Sequence, residues 1–285
     1  MTDFFHSRSQ LFTSSTTQIT YVSALPAPAP VPLELSFQCG HSIALSNEYA
    51  VIGCPGFRTF DNGAYSENKN GAVVIYDRTS NPNTNPPRQI IGVVAAELGI
   101  SVSVNAKGIV AVGAKGGNVA LYDLTQPTPT EIKVLGNSVD LTTSQDNFGW
   151  SVALNDDNPP MLAVGAIKQD GSGSVFLWSN VNTDMVEDDY QEISAPTAAK
   201  ANCDTAKGCQ FGFSVALFDQ TLVVGSPGTE SKRGTAFVYN NVTENSFEAN
   251  AQSLLEFIPP PNALFGQSVA ITNGAVVVGS PGVGV

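Results

Sequence analysis

Two histidines, four cysteines and a scatter of carboxylates are the residues of this chain with the chemistry to act as catalysts, ligands or cross-links. His6 lies near the N-terminus, and His41 sits between Gly40 and Ser42. A Ser/His/Asp arrangement would have to use His41. The same place between Gly and Ser is held elsewhere by Ile100, Trp150, Phe213 and Gln267, so it reads as a position that tolerates many side chains. The serines read as turn or ladder hydrogen-bonders. Acids gather at Glu187-Asp188-Asp189 and at Asp156-Asp157. General acid–base work needs two carboxyls that converge across a pocket. Adjacent residues point apart, so both runs read as solvated connections, with Asp156 and Asp157 as weak metal candidates. Lys115-Gly116-Gly117-Asn118 reads as a tight hairpin, because it lacks the Gly-Lys-(Ser/Thr) pattern of a phosphate loop. No residue is assigned a catalytic role.

Four cysteines allow three pairings. Cys203 and Cys209 enclose a short polar loop, and Cys39 and Cys54 fall on what should be neighbouring strands. Both pairs are local, and a disulfide needs Cα atoms within about 7 Å. The alternative is buried small hydrophobes, which suits Cys54 at a place held elsewhere by Ala or Ser. A sequon, Asn241-Val242-Thr243, sits in a predicted turn and carries little weight alone.

A repeat must position all of these residues. Gly-x-Ser followed by Val or Ile occurs at Gly40, Gly99, Gly149, Gly212 and Gly266. A second signature, Val-Gly or Ile-Gly, ends at Gly53, Gly113, Gly165, Gly225 and Gly279. A third closes the unit at Val73–Tyr76, Val119–Tyr122, Val175–Trp178 and Ala236–Tyr239. Self-similarity at this period means a solenoid, a propeller or an array. Each unit reads as four strands, since β-branched and aromatic residues alternate with closely spaced turns. The continuous apolar second strand predicts burial on both faces, and its glycine a close approach of backbones. The variable fourth strand is expected at 88–93, 131–135, 190–193 and 254–258. No segment has a convincing helical period.

Of 285 residues, 42 % are hydrophobic and only 13 % charged, about half the usual charged share. The net charge of −12 disfavours nucleic acid, which needs a basic stripe. No run of 18 apolar residues is present, so no membrane span is expected. Met1 to Thr20 lacks the apolar core of a signal peptide.

Residues 1–36 read as the second half of a unit, and the C-terminal segment as the first half of one. The expected fold is therefore all-β: a β-propeller of four-stranded blades, five in number, closed by pairing of the N- and C-terminal segments. The alternative is a fragment of a larger, seven-bladed propeller. Repeats are placed at 37–94, 95–143, 144–206, 207–260 and 261–285, with 1–36 completing the last blade.

Phe-Gly-x-Ser-Val-Ala, Leu-Val-Val-Gly-Ser-Pro and Gly-x-Ala-Phe-Val-Tyr resemble the FG-GAP repeat, the blade of integrin α-subunit propellers and of many bacterial and algal surface proteins. The best copies begin at Phe148, Phe211 and Phe265; Cys39 and Leu98 replace the phenylalanine in the first two units. Integrin-like repeats often carry a calcium loop of alternating carboxylates between the first and second strands. None of the five corresponding loops has that alternation, so the chain resembles the variety without calcium loops. No cofactor is expected; calcium is the one candidate, and its usual motif is missing.

The loop between the second and third strands of the first unit, Gly56 to Ser66, is long. Long loops on a rigid scaffold are where binding usually resides. The resemblance puts such loops on one ligand face, which would carry Arg58, Phe60, Tyr65, Lys168, Asp170, Lys232 and Arg233. The Cys203–Cys209 loop and residues 140–147 would border it. The function expected is a non-enzymatic, acidic recognition or adhesion module, extracellular or at the cell surface, binding a protein or a glycan. The alternatives are a glycan hydrolase or lyase working in the central funnel, or a structural part of a larger surface protein.

Overall fold

A computed structural model of the chain describes residues 10–15, 18–24, 37–61, 64–78, 87–92, 96–115, 117–136, 146–197, 203, 208–242, 251–254 and 259–282. An N-terminal hairpin comes first, β1 (Gln10–Ser15) paired antiparallel with β2 (Gln18–Ala24). Four antiparallel sheets of four strands follow. Blade 1 is β3 (Ser42–Leu45), β4 (Tyr49–Cys54), β7 (Ala72–Asp77) and β8 (Arg88–Ile91), with the small hairpin β5 (Phe60–Asp61) and β6 (Ala64–Tyr65) projecting between its second and third strands. Blade 2 is β9 (Leu98–Val104), β10 (Ile109–Ala114), β11 (Asn118–Asp123) and β12 (Thr130–Leu135). Blade 3 is β13 (Phe148–Leu154), β14 (Leu162–Ala166), β15 (Ser174–Trp178) and β16 (Gln191–Ser194). Blade 4 is β17 (Ser214–Phe218), β18 (Thr221–Ser226), β19 (Thr235–Tyr239) and β20 (Ala251–Ser253). A two-stranded sheet, β21 (Ser268–Thr272) with β22 (Ala275–Gly279), ends the series. Consecutive blades pack as in a β-propeller. A single-turn α-helix, Thr229–Lys232, lies between β18 and β19.

The predicted four-strand unit is therefore the observed one. The fourth strand of blade 4 lies earlier than expected. Its ladder runs from Ala251 to Ser253 and on to the Leu254 amide, which donates to the Ala236 carbonyl; residues 255–258 lie outside the described ones. The expected sharing of a blade between residues 1–36 and the C-terminal strands is not among the described pairings: β1–β2 and β21–β22 are separate sheets.

The core lies between blades. One apolar layer joins blades 1 and 2 through Val51, Val73 and Ile75 against Val102, Val104 and Val112. The next joins blades 2 and 3 around Leu121, Phe148, Leu154 and Trp178. A third joins blades 3 and 4 around Ala163, Leu177, Phe211 and Phe237. Phe148 and Phe211 open their units and are fully buried. Phe148 meets Phe176 and Trp178 edge-on at 5.6 and 6.2 Å, and Phe211 meets Phe237 at 5.7 Å. The second strands β4 and β14 are buried at every residue; β14 has a blade on each face, and β4 packs on blade 2.

The two sequence signatures turn out to be one device. Ser42, Ser101, Ser151 and Ser214 stand directly across the strand pair from Gly53, Gly113, Gly165 and Gly225. Each serine hydroxyl donates to a glycine carbonyl of the next blade: Ser42 to Gly99 at 2.9 Å, Ser101 to Gly149 at 2.8 Å, Ser151 to Gly212 at 2.7 Å and Ser214 to Gly266 at 2.9 Å. The accepting glycines sit at φ of 84 to 95°, a region that favours glycine. The same carbonyl lies where a Cβ on the second-strand glycine would be.

This clamp is testable at the junction of blades 3 and 4. Ser151→Ala leaves a buried carbonyl without its donor and should cost about 1–2 kcal/mol. Gly165→Ala forces a methyl onto the Gly212 carbonyl and should cost about 3 kcal/mol, the upper part of the overpacking range. Urea unfolding should order the midpoints wild type, Ser151→Ala, Gly165→Ala; equal midpoints would refute the clamp.

Candidate ligand face

In each of four units the loop after the second strand bonds to the segment before the first. Gly56 N–H donates to the Phe37 carbonyl, Lys168 to Asp146, Gly228 to Cys209 and Gly282 to Ala263, all at 2.9–3.0 Å. Further bonds cross to the following blade: Leu98 N–H to the Asn70 carbonyl, Phe211 to Ser172 and Phe265 to Arg233. These loops thus share one end of the blades. Arg58, Phe60 and Tyr65 stand there on blade 1, Lys168 and Asp170 on blade 3, and Lys232 and Arg233 on blade 4.

The blade 1 loop is the most built. Cys39, just ahead of β3, is disulfide-bonded to Cys54 at the end of β4. Arg58 folds back, its Nη1 donating to the carbonyls of Ser66 (3.1 Å) and Glu67. The buried Asn70 side chain accepts from Thr59 and donates to the Gly92 carbonyl. Phe60 and Tyr65 form a cross-strand pair with ring centroids 4.8 Å apart. Tyr65 leans on Phe37, which packs on Phe57 at 5.1 Å. Phe60 is left 62 % exposed. Arg58 is therefore a brace of the loop, and Phe60 is the side chain the loop presents.

On blade 3, Lys168 precedes a short 3-10 turn, Gln169–Gly171, and is exposed, as is Asp170. Partial burial and the neighbouring Asp170 carboxylate raise the Asp146 carboxyl above its ordinary value, while Lys168 pulls it down. On blade 4, Arg233 Nη1 donates to the Pro259 carbonyl at 2.8 Å, and the Lys232 carbonyl accepts from Leu264 N–H. Cys203 is bonded to Cys209 beside this loop. Of the predicted border at 140–147, only Asp146 and Asn147 fall among the described residues.

Two features of the molecule escape a linear reading. Trp150 and Phe213, the variable residues of two Gly-x-Ser motifs, meet across blades 3 and 4 with centroids 5.5 Å apart. Their signal was the concentration of large aromatics in adjacent units. At the opposite end of the blades, Asn105 and Asn155 are buried in the turns after the first strands. Asn105 donates to the Asn155 carbonyl and Asn155 to the Asp219 carbonyl, tying blades 2, 3 and 4. The weak metal candidates belong to this stitching. An Asp156 carboxylate oxygen accepts from Ala106 N–H, and Asp157 accepts from Asn155 and, through its carbonyl, from Lys107 Nζ. Among the described residues no three His, Cys, Asp or Glu side chains gather as a metal would need.

A cleft of about 1010 Å³ also opens at this end, between blades 3 and 4, where Asp157, Asn180, Asp219 and Asn241 line it. His41 is at the loop end, next to Gly40. The histidine and the cleft carboxylates therefore do not share a pocket.

The blades and their clamp define an all-β propeller built of a repeated unit. The family model of the FG-GAP repeat matches residues 142–178 and 201–239, which span the first three strands of blades 3 and 4, so the chain carries FG-GAP repeats. No curated protein matches the chain. Among the described residues no helix is long and apolar enough to cross a membrane.

Two measurements check the geometry of this face. Arg58→Ala should speed amide exchange across residues 57–66 while leaving the melting temperature within about 2 °C, since the guanidinium bonds only within its own loop. The raised carboxyl of Asp146 means that its native form holds a proton more tightly than its unfolded form. Its contribution to stability is complete below the unfolded carboxylate value and is lost as pH rises through the native one. Asp146→Asn should thus raise the melting temperature at neutral pH by on the order of 1 °C, and the gain should vanish below about pH 4.

Proposed function

We propose that the chain is a non-enzymatic recognition module that binds a protein or a glycan through the loop end of its blades, outside the cell or at its surface. The observation that carries this reading is Phe60. A large apolar side chain stays 62 % exposed at the tip of a hairpin that is braced by Arg58 and rooted in the Cys39–Cys54 disulfide. Exposing a phenylalanine on a pre-ordered loop lowers the entropy lost on binding, and aromatic anchors dominate interface energetics. Tyr65 supports the ring, and Lys168 and Asp170 supply a polar flank on blade 3. FG-GAP propellers commonly serve in protein binding and adhesion, which agrees with this use of the loops. Two disulfides support an oxidising compartment.

A protein or glycan lacks the small volume that a deep cleft selects, so a shallow loop surface suits it better than the cleft at the other end. Arrayed glycans and arrayed extracellular protein domains should reveal a binder. Phe60→Ala should then weaken that binding by about tenfold or more, as for an interface anchor, with the melting temperature unchanged within about 1 °C. Binding that is indifferent to Phe60→Ala and Lys168→Ala would move the contact away from this face.

A further inference from the structure

At the end of the blades away from the candidate face, the third strands of blades 2, 3 and 4 leave by the same kind of turn. One apolar residue anchors it, and the amide of that residue bonds back to the turn between the first and second strands. Leu124 N–H donates to the Gly108 carbonyl at 2.8 Å, Val181 to Pro160 at 2.9 Å and Val242 to Gln220 at 2.9 Å. All three anchors are buried. The residues on either side of an anchor turn toward each other. Asp123 Oδ1 accepts from Thr125 N–H at 2.8 Å and from the Thr125 hydroxyl at 2.7 Å, and Asn180 Oδ1 accepts from Asn182 Nδ2 at 2.9 Å.

In blade 4 the three residues at this place are Asn241-Val242-Thr243, an acceptor sequence for N-linked sugar, and this sequence holds no second one. The sequon thus falls where the repeat favours a short polar residue, a buried anchor and another short polar residue. Asn241 is exposed, at φ 54°, a left-handed conformation that asparagine tolerates. Its neighbour Val242 is held inside, and Asn241 lines the cleft of about 1010 Å³ between blades 3 and 4. Asn158, Ser179, Asn180, Gln220 and Thr221 line that cleft too. Their amides and hydroxyls can both donate to and accept from the hydroxyl groups of a sugar.

We propose that Asn241 carries an N-linked glycan whose first sugars lie in this cleft. The proposal rests on the extracellular reading above, because the transfer takes place in the secretory pathway. Asn241 Nδ2 forms a bond to the anomeric carbon of an oligosaccharide that is carried as a lipid-linked diphosphate. The bond from that carbon to the diphosphate oxygen breaks, the lipid diphosphate leaves with the electron pair, and the amide nitrogen gives up one proton. The modification is bulky and solubilising and needs a surface position, which Asn241 provides. A glycan here covers the end of the blades opposite Phe60 and leaves the loop face open to its partner.

Mass spectrometry of the full chain, secreted from a eukaryotic host, tests this. The peptide around Asn241 should carry N-acetylhexosamine and hexose in most molecules, and a peptide-N-glycosidase should remove them. Asn241→Gln and Thr243→Ala should each abolish the modification, while Thr243→Ser should keep it. Amide exchange at residues 179–180 and 219–221, on the cleft wall, should be about twofold or more slower in the glycosylated wild type than in Asn241→Gln. Equal exchange would overturn the seating of the sugar in the cleft. An unmodified Asn241 in a chain secreted with its four cysteines paired would overturn the glycosylation and leave the extracellular reading standing. Thiol labelling of the same sample separates the two, since a secreted chain whose thiols are all free would overturn the extracellular reading itself.

Discussion

The close approach of one blade's glycine carbonyl to the next blade's second strand is the constraint on which the rest of the structure depends. That approach is open only where the second strand has no side chain, so Gly53, Gly113, Gly165 and Gly225 set the distance between blades. The hydroxyl across the strand pair then satisfies a carbonyl that would otherwise be buried unpaired, and a buried unpaired carbonyl is costly. Once this spacing is fixed, the size of every neighbouring core residue follows. Between blades 2 and 3 valine, alanine and leucine share the layer with Phe148, Phe176 and Trp178.

The sequence made the unit legible because the clamp uses residue types that little else can replace. Glycine is required twice, for reach and for backbone conformation, and serine is the short donor that fits between. Phenylalanine before the first glycine is less constrained: Leu98 fills the same buried position, and Cys39 leaves it for a disulfide. What stayed hidden was whatever acts between units. Gly-x-Ser and Val-Gly looked like separate marks until pairing placed Ser151 opposite Gly165 and aimed its hydroxyl at Gly212. Trp150 and Phe213 looked like interchangeable fillers, since nothing in a linear reading says that the same position in adjacent units comes into contact. Asp156 and Asp157 looked like neighbours in a solvated turn, and from there they also take up amide and ammonium donors from blade 2.

The candidate face shows the same division. Loop asymmetry located the hairpin and its aromatics, because an insertion into a repeat is visible against the other copies. The role of Arg58 was not visible, since a guanidinium that reaches outward and one that braces its own loop have the same sequence. The difference bears on function. A loop whose charge is used internally and whose phenylalanine is left out offers shape and apolar area to a partner more than it offers charge.

Stitching at both ends of the blades explains how such loops can vary without loss of the fold. The clamp holds the loop end through serine hydroxyls and glycine carbonyls, and the Asn105–Asn155–Asp219 relay holds the other end through side-chain amides. Neither uses a residue of the loops between the second and third strands. A repeat held in this way has a consequence of its own. Because every unit carries both a donor half and an acceptor half, any finite series of units ends in two different faces that fit each other. A fold built by repetition must therefore occupy those faces, by closing on itself, by adding units or by meeting another molecule.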